Sequence, residues 1–228
     1  MTVLALAEHR RGELRDVSLE LLAAGRRLAD DLGTDLHVAV VSGNVEAFVE
    51  ELNREGVDAI HTVDHGAEFN HDVTVQALDA LAGELGPQVL LAPHTVNGLD
   101  YAPALASRLD SPLVTDAVAV RVDGDSLVVD REMYGSKVET TLELPADRAL
   151  VTLRPTEWPQ ADGVGDAEVR AFDAPIDESA VRSRVTGFEE VAGGDVDISE
   201  ADVLVSVGRG IDEEENLDII HDLAEALD

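Results

Sequence analysis

Apolar positions along the chain follow two rhythms, short unbroken runs and recurrences at helical spacing, and the two alternate from the start. Residues 3–7, Val-Leu-Ala-Leu-Ala, have no polar break, which fits a strand buried on both faces of a parallel sheet. The polar residues 8–15 predict a loop. From Asp16, a helix-capping residue type, Leu19, Leu22, Arg26 and Ala29 alternate with Leu21, Leu28 and Leu32 until Gly33 ends the helix. Residues 36–41 predict the next strand, Val45, Phe48, Val49 and Leu52 a helix closed by Gly56, and residues 59–63 a weaker strand. The spacing of Val75, Leu78, Leu81, Ala82 and Leu85 predicts a helix over 72–85, stopped by Gly86-Pro87. Residues 89–92 then read as a strongly apolar strand, 94–100 as a polar loop around Asn97-Gly98, and 101–109 as a helix entered near Pro103.

Strand alternating with helix at this interval predicts an α/β fold, a mostly parallel sheet flanked by helices. After Asp110 the rhythm changes. Residues 113–122, 126–133, 138–144 and 149–153 are β-branched runs split by Asp123-Gly124-Asp125, Gly135 and Pro145, so they predict hairpins added to the sheet. The polar stretch 155–166 holds Trp158, expected as a packing anchor. Residues 169–172 and 184–191 predict further short strands, and 192–195 a linker. At the end, residues 203–207 predict a strand, Gly208-Arg209-Gly210 a turn, and Leu217, Ile220, Leu223, Ala224 and Leu227 a helix. That strand, turn and helix read as the first elements of a second, Rossmann-like domain, the type of unit that presents nucleotides at a sheet's carboxyl edge. The chain is therefore expected to divide into residues 1–192 and, after a linker, an incomplete second domain within 193–228.

Composition narrows the function. With 48 acidic against 16 basic residues, a formal net charge of -32 and Lys137 as the single lysine, nucleic acid is excluded as a partner. Acid spread along the whole chain is the pattern of a protein that works in high salt, where screening removes self-repulsion. The absence of cysteine excludes disulfides, thiolate catalysis and cysteine-based metal centres. No apolar run approaches membrane-spanning length, so neither a signal peptide nor direct membrane insertion is expected, and a cytoplasmic location is.

Candidate chemistry is sparse. His61, His65 and His71 with Asp64 and Glu68 have metal-ligand character, but Gly66 spoils a helical arrangement and solvated loop histidines are expected, protonated by the acidic surroundings. The 94–100 segment lies where open α/β sheets bind ligands, yet His94 and Thr95 sit on no nucleophile elbow. No catalytic residue is expected. Gly208, Arg209 and Gly210 are the candidate cofactor-binding residues. Glu213 stands where a dinucleotide fingerprint has its third glycine, and the acids at 212–215 compete with phosphate for the helix amino terminus. From these residues alone a structural turn and a nucleotide contact both stay open.

The segment Val-Leu-Val-Ser-Val-Gly-Arg-Gly-Ile from Val203, with Glu215-Asn216-Leu217 and the helix ending Leu223-Ala224-Glu225-Ala226-Leu227, resembles the start of the flavin domain in electron transfer flavoprotein alpha subunits. Residues 3–9, with the leucine-rich helix through Leu28-Ala29, are similar to the opening of the same subunits. So are residues 91–116, which include Ala102-Pro103-Ala104-Leu105-Ala106-Ser107-Arg108-Leu109 and Leu113-Val114-Thr115-Asp116. Residues 131–137 resemble the family's Arg-Pro-x-Tyr-x-Gly-Asn, with Glu132 in the proline's place and the Asn lost, and residues 151–155 its Thr-Val-Arg-Pro strand. The likeness is colinear over essentially the whole chain. It implies an electron carrier that works through FAD in a heterodimer with a beta subunit, between acyl-CoA dehydrogenase-type donors and a quinone reductase acceptor. Family members continue past the last helix into Ser-Arg, Gln-Thr-Gly and Ser-Gly segments that hold most of the FAD. Those segments are not among these residues, so an alpha subunit cut short early in its flavin domain is expected. A stand-alone nucleotide-binding or scaffold module without flavin is the alternative.

Overall fold

The computed structural model describes residues 2–188, 203–211 and 213–227. The chain divides into two units, residues 1–185 and 186–228. In the first unit β1 (Thr2–Leu6) leads through a small hairpin, β2 (His9–Arg10) and β3 (Glu13–Leu14), into α1 (Asp16–Leu32). Then follow β4 (Asp35–Val41), α2 (Glu46–Leu52), β5 (Ala59–Val63), α3 (His71–Leu85), β6 (Val89–Pro93) and α4 (Val96–Leu109). After them come β7 (Leu113–Asp123), β8 (Ser126–Met133), β9 (Val138–Pro145), β10 (Ala149–Leu153) and β11 (Glu168–Ala171).

Among the described residues nine strands form one sheet in the order β11-β5-β4-β1-β6-β10-β7-β8-β9. The fully apolar runs occupy its middle, because a strand covered on both faces must be apolar at every position. β1, β6 and β10 are buried throughout, as the unbroken runs at 3–7, 36–41 and 89–92 predict for the central strands. Alternate residues then serve two cores. Val3, Ala5, Val38, Leu91 and Val151 pack with α1 through Leu21, Leu22 and Leu28, while Leu4, Leu6, Leu90 and Leu150 pack with α3 and α4 through Leu78, Leu81 and Leu105. The pairs joining β11 to β5, β4, β1, β6, β10 and the first part of β7 are all parallel.

Several local expectations are corrected. The capping residue of α1 is Arg15, without a side-chain bond, and Asp16 lies in the first turn; Gly33 closes the helix in the left-handed region at φ 62°. α2 ends at Asn53, before Gly56. The supposed polar loop at 94–100 is largely the first part of α4, which begins at Val96 because the Thr95 side chain accepts from Gly98 N–H and caps it. Gly98 has a packing reason: a Cβ there would collide with the Pro93 carbonyl oxygen, so the helix sits directly against the end of β6. Pro103 lies inside the helix, where it cannot donate to the carbonyl one turn back.

The runs expected as hairpins split. β7, β8 and β9 form an antiparallel meander, but β10 returns into the parallel sheet between β6 and β7. Ala149–Leu153 is buried on both faces, which an edge hairpin does not provide. β7 itself changes partner: its first residues run parallel to β10, and from Ala117 onward it pairs antiparallel with β8. Asp116, at φ 63°, marks the break. Trp158 packs partly buried against the core around α1, as an anchor should. Of the strand expected at 184–191, residues 184–188 are not extended into any ladder, and the rest, with the 192–195 linker, lies outside the described residues.

In the second unit the helix is present as α5 (Leu217–Ala226). The expected strand at 203–207 is not: these residues have no regular structure, and Val203, Leu204 and Val207 are exposed. A strand exists through its ladder, and among the described residues nothing pairs with this run.

Candidate functional site

Gly208, Arg209 and Gly210 all lie exposed in the second unit. Arg209–Ile211 is a short 3-10 turn closed by Ile211 N–H donating to the Gly208 carbonyl at 3.1 Å, and Asn216 Nδ2 donates to the Ile211 carbonyl at 2.9 Å. Neither Gly208 nor Gly210 has an atom within 4 Å of where a Cβ would stand. The turn does not run straight into the helix: a second 3-10 turn, Glu214–Asn216, precedes α5. The two glycines and the arginine are thus brought together at one open turn, with the exposed acids Glu213 and Glu215 beside it in sequence.

A denser polar constellation lies in the first unit, at the carboxyl ends of the central strands. The order of connection reverses at β1, which has β4 on one side and β6 on the other, the place where open α/β sheets form a crevice. Glu8 follows β1 and Thr95 follows β6, and they meet: Thr95 Oγ1 donates to Glu8 Oε2 at 2.5 Å. Burial pushes the Glu8 carboxyl above its ordinary pKa, against the lowering effect of that bond and of Arg15. The Glu8 backbone is held as well, its N–H donating to Ser18 Oγ at 2.9 Å and its carbonyl accepting from the same hydroxyl at 3.0 Å.

Next to this crevice, Arg154 follows β10 and forks onto Asp116, with Nε to Oδ1 at 2.9 Å and Nη2 to Oδ2 at 2.8 Å. Its remaining nitrogen reaches Glu132 Oε2 on β8 at 2.6 Å. The bidentate bond from Arg154 holds Asp116 below the usual carboxylate range. Glu132 is lowered first by the Ser136 hydroxyl and then by Arg154. Thr152 Oγ1 accepts from Asp116 N–H at 3.1 Å and lies 2.9 Å from His94 Nδ1. The hydroxyl's one proton is therefore directed to Nδ1, which leaves the ring hydrogen on Nε2. Burial lowers the His94 pKa against the opposing pull of Asp116, so this ring is neutral near pH 7. His94 and Thr95 are neighbours in sequence but bond to different partners, and they form no nucleophile and base pair.

The histidine cluster separates. His61 is not a solvated loop residue: it lies buried in β5, with Nε2 3.0 Å from Nδ1 of His37 on β4. Burial, followed by the neighbouring ring, lowers its pKa to about 4, the opposite of proton retention in an acidic surface. His65 pairs with Glu178 at 2.6 Å and His71 with Asp100 at 3.3 Å. Among the described residues no group of three or more side chains is placed to hold a metal ion, and no helix is long and apolar enough to cross a membrane.

Sequence reasoning missed Glu8, Thr152 and the whole Arg154 network. Asp116 and Arg154 each stood within a run compared with known subunits, but their partnership across 38 residues carries no local signal.

Residues 3–177 match the electron transfer flavoprotein domain family. The chain is 38% identical over 226 residues to the electron transfer flavoprotein subunit alpha of Methylophilus methylotrophus, a match covering 98% of this chain and 70% of that protein. With the subunit alpha of Thermoanaerobacterium thermosaccharolyticum it shares 34% over 227 residues, 97% of this chain and 69% of that one. It is also similar to protein FixB of Clostridium saccharobutylicum, at 32% identity over 231 residues, covering 99% and 69%.

Proposed function

Because the chain belongs to the electron transfer flavoprotein family, among alpha subunits that carry electrons rather than catalyse a reaction, we propose that it works through FAD in a heterodimer with a beta subunit. In this reading it takes electrons from acyl-CoA dehydrogenase-type donors and passes them to a quinone reductase. The observation that carries it is colinearity: the relatives align over 97% or more of this chain, through both units. Residues 1–192 are then the amino-terminal domain, residues 193–228 a linker and the start of the flavin domain, and the site of action is the cytoplasm.

The second unit supplies donors suited to a flavin nucleotide. Two glycines with open space beside them let a pyrophosphate approach the backbone, and Arg209 offers the cation. Gly208, Arg209 and Gly210 would hold it as one contact rather than an enclosing cradle, with Glu213 and Glu215 opposing. FAD supplies the electron-carrying chemistry when bound, and these residues bind and orient it.

A flavinless nucleotide-binding or scaffold module is the second reading, favoured by the unpaired residues 203–207 and the acids beside the turn. Flavin absorbance separates the two. The 228-residue chain purified alone after mixing with FAD should retain well below one flavin per chain, since a turn and one helix do not bury a dinucleotide. Co-expressed with a beta subunit, it should co-purify as a one-to-one complex. A chain that never associates overturns the proposal, and stoichiometric FAD on the lone chain moves the flavin site elsewhere.

A further inference from the structure

The turn joining β8 to β9 holds a bulky residue in a conformation that bulky residues avoid. Tyr134 has φ 56°, and it is followed by Gly135 at 66° and Ser136 at 61°. A side chain with a Cβ in the left-handed region costs about 1–2 kcal/mol, and such strain persists only where the surroundings impose it. Here they do. Ser136 Oγ donates to Glu132 Oε2 at 2.6 Å, Lys137 N–H donates to the Met133 carbonyl at 3.2 Å, and Glu132 is bound by Arg154, itself forked onto Asp116. The turn is thus tied to the centre of the parallel sheet.

What this rigid turn presents is unlike the rest of the surface. Tyr134 is 76% exposed, whereas the chain's other tyrosine, Tyr101, is buried. Val138 beside it is also exposed. Lys137 is the single lysine of a chain of net charge -32. Arg131, two residues before the turn, has a buried Nε with no hydrogen-bond partner, and an unpaired buried donor is costly unless an acceptor arrives from outside. A rigid exposed aromatic flanked by cations has the composition of an interface hot spot.

We propose that this turn, with Arg131, Tyr134, Lys137 and Val138, docks the beta subunit, seating Tyr134 in an apolar hollow rimmed by carboxylates that pair with Arg131 and Lys137. The assignment rests on the heterodimer reading. Charge selects the occupant: a chain this acidic repels acidic partners over most of its surface, and the turn is where it offers them cations and an aromatic ring.

The test is Tyr134→Gly, with Lys137→Glu as a second variant, each co-expressed with the beta subunit in molar potassium chloride. The dissociation constant is read by analytical ultracentrifugation, and the thermal midpoint of the lone chain is measured in parallel. Tyr134→Gly relieves the left-handed strain, so the lone chain should melt at the same temperature or higher while the complex dissociates at least tenfold more readily. Lys137→Glu should weaken the complex by a similar or smaller factor, with the lone chain unchanged. Wild-type binding in both variants overturns the docking surface while leaving the heterodimer standing. A wild-type chain that forms no complex overturns both. A lone chain that melts lower with Tyr134→Gly shows a folding role for the ring and also overturns the proposal.

Discussion

Acid should weaken this fold through one buried pair. His37 and His61 are 6% and 4% exposed, on adjacent strands, with 3.0 Å between Nδ1 of the first and Nε2 of the second. Arg170 disfavours a charge on either ring, while Asp35, Asp58 and Glu168 favour one. Burial outweighs these terms and lowers both pKa values, that of His61 from 6.5 to about 4. Between those values the unfolded chain binds a proton that the folded chain does not, so stability is full above pH 6.5 and falls as the pH drops toward about 4. The span of 6.5 - 4, about 2.5 units at about 1.4 kcal/mol each, corresponds to a loss on the order of 3 kcal/mol. The two rings titrate as a pair, so His37 adds no separate amount.

Urea midpoints from about pH 7.5 to about pH 4.5, at constant molar potassium chloride, measure this against the double variant His37→Leu/His61→Leu. Replacing both partners by apolar groups of similar size removes the titration without leaving an orphaned donor. Carboxylate titration is common to both proteins and cancels in the difference. The wild type should lose stability relative to the variant by up to about 1.4 kcal/mol per pH unit below 6.5. Parallel pH profiles would refute the reasoning.

Thr95→Val removes both the α4 cap and the donor to buried Glu8, and should cost about 1–2 kcal/mol in urea unfolding, with Thr95→Ser largely restoring it. The thermal midpoint should climb from low to molar potassium chloride, because a net charge of -32 favours expansion until it is screened; a flat or falling midpoint removes the high-salt interpretation.

The sheet's middle was legible because burial on both faces forces apolar residues at every position, as in 3–7 and 89–92. The start of α4 was not. Its opening residues Val96 and Leu99 face solvent, so their spacing mimics a loop, and the deciding feature is a single hydroxyl on Thr95. Ala149–Leu153 was read as a strand correctly but given the wrong neighbours, since sequence order does not state sheet order. His61 looked like a strand-end polar residue because its partner, His37, lies 24 residues away. At the other end, residues 203–207 have the composition of a strand, and a ladder needs a second strand as well as composition.

The central claim is electron carriage by an alpha subunit through FAD. It is tested most directly by mixing the flavin-loaded heterodimer, in molar potassium chloride without oxygen, with an acyl-CoA dehydrogenase reduced by its substrate, and following the flavin band of the heterodimer. The account predicts that the band bleaches and recovers when a quinone reductase and quinone are added. A complex without a flavin band, or a band that stays oxidised beside the reduced donor, would contradict it.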